Sequence, residues 1–280
     1  MENIKLEINE TSTDELFYIN ITNHTTELVE ENTPKIIFIV PYRDREQQLA
    51  FFNRHMKYIL EDYPEKDKQI MIIHQNDKRS FNCGAIKNIG FLIVKEKYPN
   101  TYKNITLVFN DVDTLPFTKN FIEYKTDNNI IKHFYGFKHT LGGIVSITGG
   151  DFEKINGFPN FWAWGYEDNM FYERAVRSKI TVDRQQFFPF ADKNILHCYD
   201  GYIKQVNKKE FDRYANATKE GIYSIYNLEY TYDEDTNTYN INNFQTQYKE
   251  DISEIKEHDL HKGTRPFGNK GRGAAMSMVL

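Results

Sequence analysis

Two adjacent carboxylates, Glu167 and Asp168, follow both tryptophans of the chain in "FPNFWAWGYEDNMFYERA", which runs from Phe158 to Ala175. A tryptophan ring offers an apolar face to the C–H side of a sugar and an N–H to a hydroxyl. A carboxylate within hydrogen-bond reach of a hydroxyl can take its proton as a general base. Asp168 is the candidate base, and Glu167 the candidate partner of sugar hydroxyls. The plainer alternative buries Trp162 and Trp164 in the core and leaves the acids at a helix N-terminus. There the helix dipole favours them by about 0.3–1 kcal/mol. That alternative accounts for one ring more easily than for the whole set.

A second group of candidates lies in "FNDVDTLP", where Asp111 and Asp113 alternate at the end of an apolar run. If both lay on a strand, residues two apart like these would share one face. One carboxylate could then bind a divalent ion, which neutralises charge on a departing diphosphate. "NILHCYDGY" supplies His197, with Asn194 three residues before it and Asp200 three after. Imidazole and carboxylate together suit manganese or a similar first-row ion. The alternative for His197 is a satisfied core histidine, and Cys198 reads as a structural thiol. "VPYRDR" sets Arg43 and Arg45 on one loop, where guanidinium groups can grip phosphate. A solvated charged turn would look the same.

Those residues need a scaffold, and the first half of the chain spells one. "KIIFIVPYRDR" is a buried strand running into a charged loop. "REQQLAFFNRHMKYILEDY" has Leu49, Phe52, Met56, Ile59 and Leu60 at helical spacing. "QIMIIHQ" (69–75) reads as a strand, "GAIKNIGFLIVKEKY" (84–98) as a helix and "NITLVFNDVD" (104–113) as a strand. Alternating strands and helices predict an α/β fold with a mainly parallel central sheet, whose ligands lie beyond the carboxyl ends of the strands. "GGIVSITGGDFEKINGF" reads as a strand, a short helix and a stop at Asn156–Gly157. "NLEYTYDEDTNTYNIN" reads as a hairpin. The expected organisation is a loosely ordered lead-in over 1–33 with a candidate edge strand at "ELFYINIT", a domain over 34–253 that divides at 116, and a flexible tail over 254–280. From His261 that tail holds four basic residues, four glycines and no acids.

The 280 residues are 40% hydrophobic and 27% charged, the balance of a globular chain that buries a core. A net charge of −5 argues against a nucleic-acid surface. The 15% of aromatic residues suits ring–ligand contacts, and equally a large core. Cys83 and Cys198 are the only cysteines, too few for a disulfide framework or a zinc site. The N-terminus has no basic start followed by an apolar run, and no stretch reaches the roughly 20 apolar residues of a membrane span. A complete chain of this kind is expected in the cytoplasm, while a trimmed one could have lost an anchor.

Taken in order, "FIVPYRDREQQL", "FNCGAIKNIGF", "FNDVDTLP", "GGIVSIT…FEKINGFPNFWAWGYEDNMFYERA" and "KKEFDRYA" resemble the β-1,4-galactosyltransferase family. A weaker likeness runs to bacterial polysaccharide polymerases and polypeptide N-acetylgalactosaminyltransferases. The resemblance implies a GT-A-like nucleotide-sugar-binding fold and manganese as cofactor. It also implies inverting transfer of a hexose or N-acetylhexosamine from a UDP-sugar to a glycan or glycoconjugate hydroxyl, giving a β linkage. It would put Pro41, Arg43, Arg45, Phe81, Asp111, Asp113, Gly143 and Trp164 around the donor. Phe158, Trp164, Gly165, Asp168 and Asn169 would face the acceptor. Glu167 and Asp168 would be catalytic, and Asp113, His197 and Asn194 would hold the metal.

The chain departs from the family pattern at Cys83, where arginine is usual, at Asn194, where methionine is a ligand, and at Asn169, where a third acid stands. Thr140 occupies the position of a donor-selecting aromatic residue, and its small side chain leaves room for an N-acetyl group. The alternative function is an inactive sugar- or nucleotide-binding module of the same fold, supported by Asn169 and Asn194. Galactose and N-acetylgalactosamine are the first expected donor sugars, with glucose possible.

Overall fold

The computed structural model describes residues 4–5, 33–263 and 265–267. Strands β1 (Ile4–Lys5), β2 (Ile36–Tyr42), β3 (Lys68–Gln75), β4 (Thr106–Asn110), β6 (Ile130–Gly136), β7 (Ile144–Thr148), β8 (Thr181–Asp183), β9 (Phe188–Pro189), β12 (Tyr226–Asp233) and β13 (Thr238–Gln245) share one sheet. Its order is β1-β12-β13-β3-β2-β4-β7-β6-β8, with β9 also paired to β6. Helices α1 (Glu46–Ile59) and α2 (Cys83–Lys97) are the crossovers between the parallel neighbours β2, β3 and β4.

Alternation along the central strands sorts the core into two layers. Ile37 and Ile39 of β2 join one cluster with Ile86, Ile89 and Phe91 of α2. Ile36, Phe38 and Val40 join the other with Phe52, Met56 and Ile59 of α1. A strand covered on both faces must be apolar throughout, which is why "IIFIV" carries no polar residue. Burying one such side chain fully contributes about 1.5–3 kcal/mol.

The sheet is parallel through β13, β3, β2 and β4 and turns antiparallel at β7, which pairs with both β4 and β6. The predicted hairpin is β12–β13. The short helix α3 (Gly149–Lys154) stops as predicted, with Asn156 and Gly157 both at positive φ. Helix α4 (Glu167–Arg177) lies beyond it.

Two expectations need correcting. Strand β4 ends at Asn110, and the Asp111 carbonyl accepts the Thr114 N–H at 3.1 Å, so Asp111 and Asp113 lie on a turn. The side-to-side alternation of a strand does not apply to them. The tail is also ordered over part of its length. Strand β14 (Ile255–Asp259) pairs antiparallel with β11 (Ile203–Asn207), and the Tyr166 hydroxyl donates to the Phe267 carbonyl at 3.0 Å. The stretch "ELFYINIT" and the end of the tail lie outside the described residues.

Candidate active site

The turn after β4 and the first turn of α4 face each other across α2. Gly143 fixes one side. Its φ is +74°, a Cβ there would lie 2.6 Å from the Tyr135 carbonyl oxygen, and its own carbonyl accepts the Asp111 N–H at 3.0 Å. Only glycine combines that backbone with that approach. On the other side, Tyr166 takes a left-handed conformation as the N-cap of α4, which puts Glu167 and Asp168 in its first turn. The Asp168 carbonyl accepts the Leu141 N–H at 3.1 Å.

Lys87 of α2 occupies the space between them. Its ammonium is 2% exposed and lies 3.2 Å from Asp168 Oδ1 and 3.6 Å from Asp111 Oδ1. The Phe158 ring backs it at 4.7 Å. Burial alone would lower the Lys87 pKa, but Asp168, Cys83, Asp111 and Glu167 outweigh it and raise it well above the usual lysine value. Burial pushes Asp111 up to about 6, with Lys87 opposing and Asp113 and Asp168 adding to the rise. Burial and then Asp168 push Glu167 up to about 7, against the pull of Lys87. Glu167 Oε2 is buried with no hydrogen-bond partner among the described residues. Such an orphan acceptor is what a ligand hydroxyl would satisfy.

Asp113 belongs to a neighbouring set. Its Oδ1 accepts the Thr114 hydroxyl at 3.0 Å, while its Oδ2 lies 3.3 Å from Arg45 Nη1 and 3.8 Å from His197 Nε2. Burial would raise its pKa, yet His197, Arg45 and Thr114 together hold it below the ordinary carboxylate value. His197 is aimed by the Tyr135 hydroxyl, 3.2 Å from Nδ1, and by the stacked Tyr199 ring. The register of β10 (Ile195–His197) against β5 (Thr114–Pro116) sets His197 opposite Thr114, next to Asp113.

A carboxylate and an imidazole at this separation are donors a first-row divalent ion accepts. No group of three His, Cys, Asp or Glu forms such a site among the described residues. Diphosphate oxygens and water would have to complete the shell, so the pair fits a metal that binds together with a nucleotide.

Other sequence candidates separate. The Asn194 side-chain amide donates to Asp192 Oδ1 at 3.0 Å. Phe158 is fully buried and stacks on Phe171 at 4.0 Å, so its ring is a core contact and not an acceptor surface. Arg43 and Arg45 diverge: Arg43 binds the Arg79 carbonyl and faces Asp77, while Arg45 bridges Asp113 and Asp200. Pro41 is buried within β2, and Phe81 is half-buried before α2.

The tryptophans split as well. Trp162 is core, stacked on Phe244, and its Nε1 donates to the Tyr248 carbonyl. Trp164 is 36% exposed on a loop where Ala163, Gly165 and Tyr166 all have positive φ, and its main-chain N–H donates to the Gln205 carbonyl at 2.8 Å. Asn169 is half-buried beside Asp168. Thr140 closes a turn onto the Phe137 carbonyl. Both cysteines are free thiols. Lys87 is absent from the sequence candidates, because its burial with residues 84–91 of α2 is seen only in the fold.

Comparisons with known proteins give the family and the fold. The model for the N-terminal region of glycosyl transferase group 7 matches residues 9–125, and that for the N-terminal domain of galactosyltransferase matches residues 128–199. The chain belongs to the β-1,4-galactosyltransferase family.

Within that family, xylosylprotein 4-beta-galactosyltransferase of Caenorhabditis elegans is 33% identical over 159 residues, covering 54% of this chain and 53% of the relative. Beta-1,4-galactosyltransferase 1 of Bos taurus is 30% identical over 199 residues, covering 68% of this chain and 48% of the relative. The chain thus spans about half the length of these curated relatives. The catalytic domain of Drosophila β-1,4-galactosyltransferase 7, solved with xylobiose, superposes with a TM-score of 0.59 at 20% identity, over 78% of this chain and 96% of that one. The shared fold is GT-A. A variant of the Drosophila enzyme was solved with manganese, UDP-Gal and xylobiose.

Proposed function

We propose that this chain is an inverting, manganese-dependent glycosyltransferase that moves a hexose or N-acetylhexosamine from a UDP-sugar to a glycan hydroxyl. The observation that carries the reading is the seating of Glu167 and Asp168 in the first turn of α4, with Glu167 Oε2 buried and unpartnered among the described residues and Asp168 joined through Lys87 to Asp111. Family membership supports the donor class. A relative named for xylosylprotein and a neighbour holding xylobiose make a xylose-terminated glycan the first acceptor to try.

In this reading, Arg43, Phe81, the main chain of Pro41 and Gly143, and Asp111 serve the nucleotide. Asp113 and His197 would hold manganese, which when bound supplies Lewis-acid neutralisation of the departing diphosphate. Trp164 and Gly165 line the sugar and acceptor side, with Asn169 at its edge. Glu167 hydrogen-bonds a donor hydroxyl. Asp168 accepts the acceptor's proton as the hydroxyl oxygen bonds to the anomeric carbon, and the glycosidic electron pair leaves with UDP. One displacement of this kind turns an α-linked donor into a β product. Thr140 leaves room for an N-acetyl group, so galactose and N-acetylgalactosamine are the first donors, with glucose next.

The test is Asp168→Asn. Transfer should fall at least ~100-fold while UDP affinity stays within about threefold, since a positioned general base is worth roughly 10²–10⁴. Turnover at the wild-type rate would remove Asp168 as the base.

A further inference from the structure

Lys87 is a charged side chain on an otherwise apolar, buried stretch of α2, beside the fully buried Ile86, Ile89 and Phe91. Buried charges are placed only where partners compensate their desolvation. Its ammonium sits between a carboxylate of the acceptor side and one of the nucleotide side, held from below by the Phe158 ring. We propose that Lys87 is a positioning residue for sugar transfer, tying Asp168 to Asp111 and thereby setting which oxygen of Asp168 receives the proton. This rests on the glycosyltransferase reading above.

The geometry gives the two oxygens of Asp168 different tasks. Oδ1 is engaged by Lys87 at 3.2 Å. Oδ2 lies against Gly142, where a Cβ would approach it to 2.1 Å, so no larger side chain crowds it. The acceptor proton goes to Oδ2 as the new C–O bond forms and the bond to the diphosphate oxygen breaks. Lys87 stays protonated throughout. Once Asp168 is neutral, the ammonium keeps Asp111 as its ion-pair partner, and its charge still faces the nucleotide side, where negative charge has grown.

The experiment is a double-mutant cycle on the whole chain with Lys87→Met and Asp168→Asn. Single-turnover transfer rates, manganese-dependent UDP binding and melting temperature are read for each variant. Lys87→Met should slow transfer about 100-fold with UDP affinity within about threefold, and the double variant should be no slower than Asp168→Asn alone. Lys87→Arg, which keeps the charge, should recover at least about tenfold of the loss, and it carries the test should Lys87→Met not fold. Losses that multiply in the double variant, or UDP affinity that falls in step with rate, would overturn the assignment. A wild-type chain that binds UDP but transfers nothing would contradict the transferase reading itself. An active wild type with an unimpaired Lys87→Met would contradict only the role of Lys87.

Discussion

Glu167 shows how a single buried carboxylate couples function to stability. Its pKa moves from 4.5 to about 7, chiefly because burial penalises the charged form. Between those values the folded chain binds more protons at this residue than the unfolded chain does, so stability falls as pH rises through that window. Full ionisation then costs on the order of 3 kcal/mol. Glu167→Gln is therefore expected to melt well above the wild type at pH 8 and close to it at pH 5. Thermal melts across that range check it, and a pH-independent difference would contradict it. At this scale the acids, His197 and the arginines were legible from residue type and spacing. Lys87 was not, because a lone lysine in an apolar helix has no motif.

Among the elements, α2 does more than cover the sheet. Asn88 donates to the Phe158 carbonyl at 2.8 Å and to Asn160 Oδ1 at 2.9 Å, and it accepts the Phe158 N–H at 2.9 Å. Asn82 adds a bond to the Asn160 carbonyl at 3.1 Å. This amide network fastens the loop that leads to Trp164 and α4, and so fixes where Glu167 and Asp168 point. Asn88→Ala strands buried main-chain and amide groups, each costing about 1–3 kcal/mol. A loss of roughly 3 kcal/mol in urea denaturation is expected, together with slower transfer. A change under about 0.5 kcal/mol would mean the loop is held by other contacts. The elements of the first half were legible because each buried strand and amphipathic helix writes its own period. Strand β14, "IKEHD", has no apolar alternation, and its pairing with β11 is decided by tertiary context. The turn at Asp111 was hidden for the opposite reason, since "DVD" continues the alternation of the strand that precedes it.

For the molecule as a whole, the parallel order β3-β2-β4 puts the loops after β2 and β4 at one edge, and the antiparallel return of β7 brings Gly142 and Gly143 to the same edge. That reversal had no signature in the sequence, because β7 is buried throughout and its apolar run fits either direction. The arrangement brings Asp168, Asp111 and the Asp113–His197 pair to one end of the sheet. Among the described residues no helix is long and apolar enough to cross a membrane.

The central claim concerns donor chemistry, and UDP release tests it most directly. Purified protein would be offered UDP-galactose, UDP-N-acetylgalactosamine, UDP-glucose, UDP-N-acetylglucosamine and UDP-xylose, each with and without manganese, alone and with a xylose-terminated acceptor. The account predicts manganese-dependent release, stimulated by acceptor, from the galactose or N-acetylgalactosamine donor. No release from any donor, with no UDP binding, would contradict it.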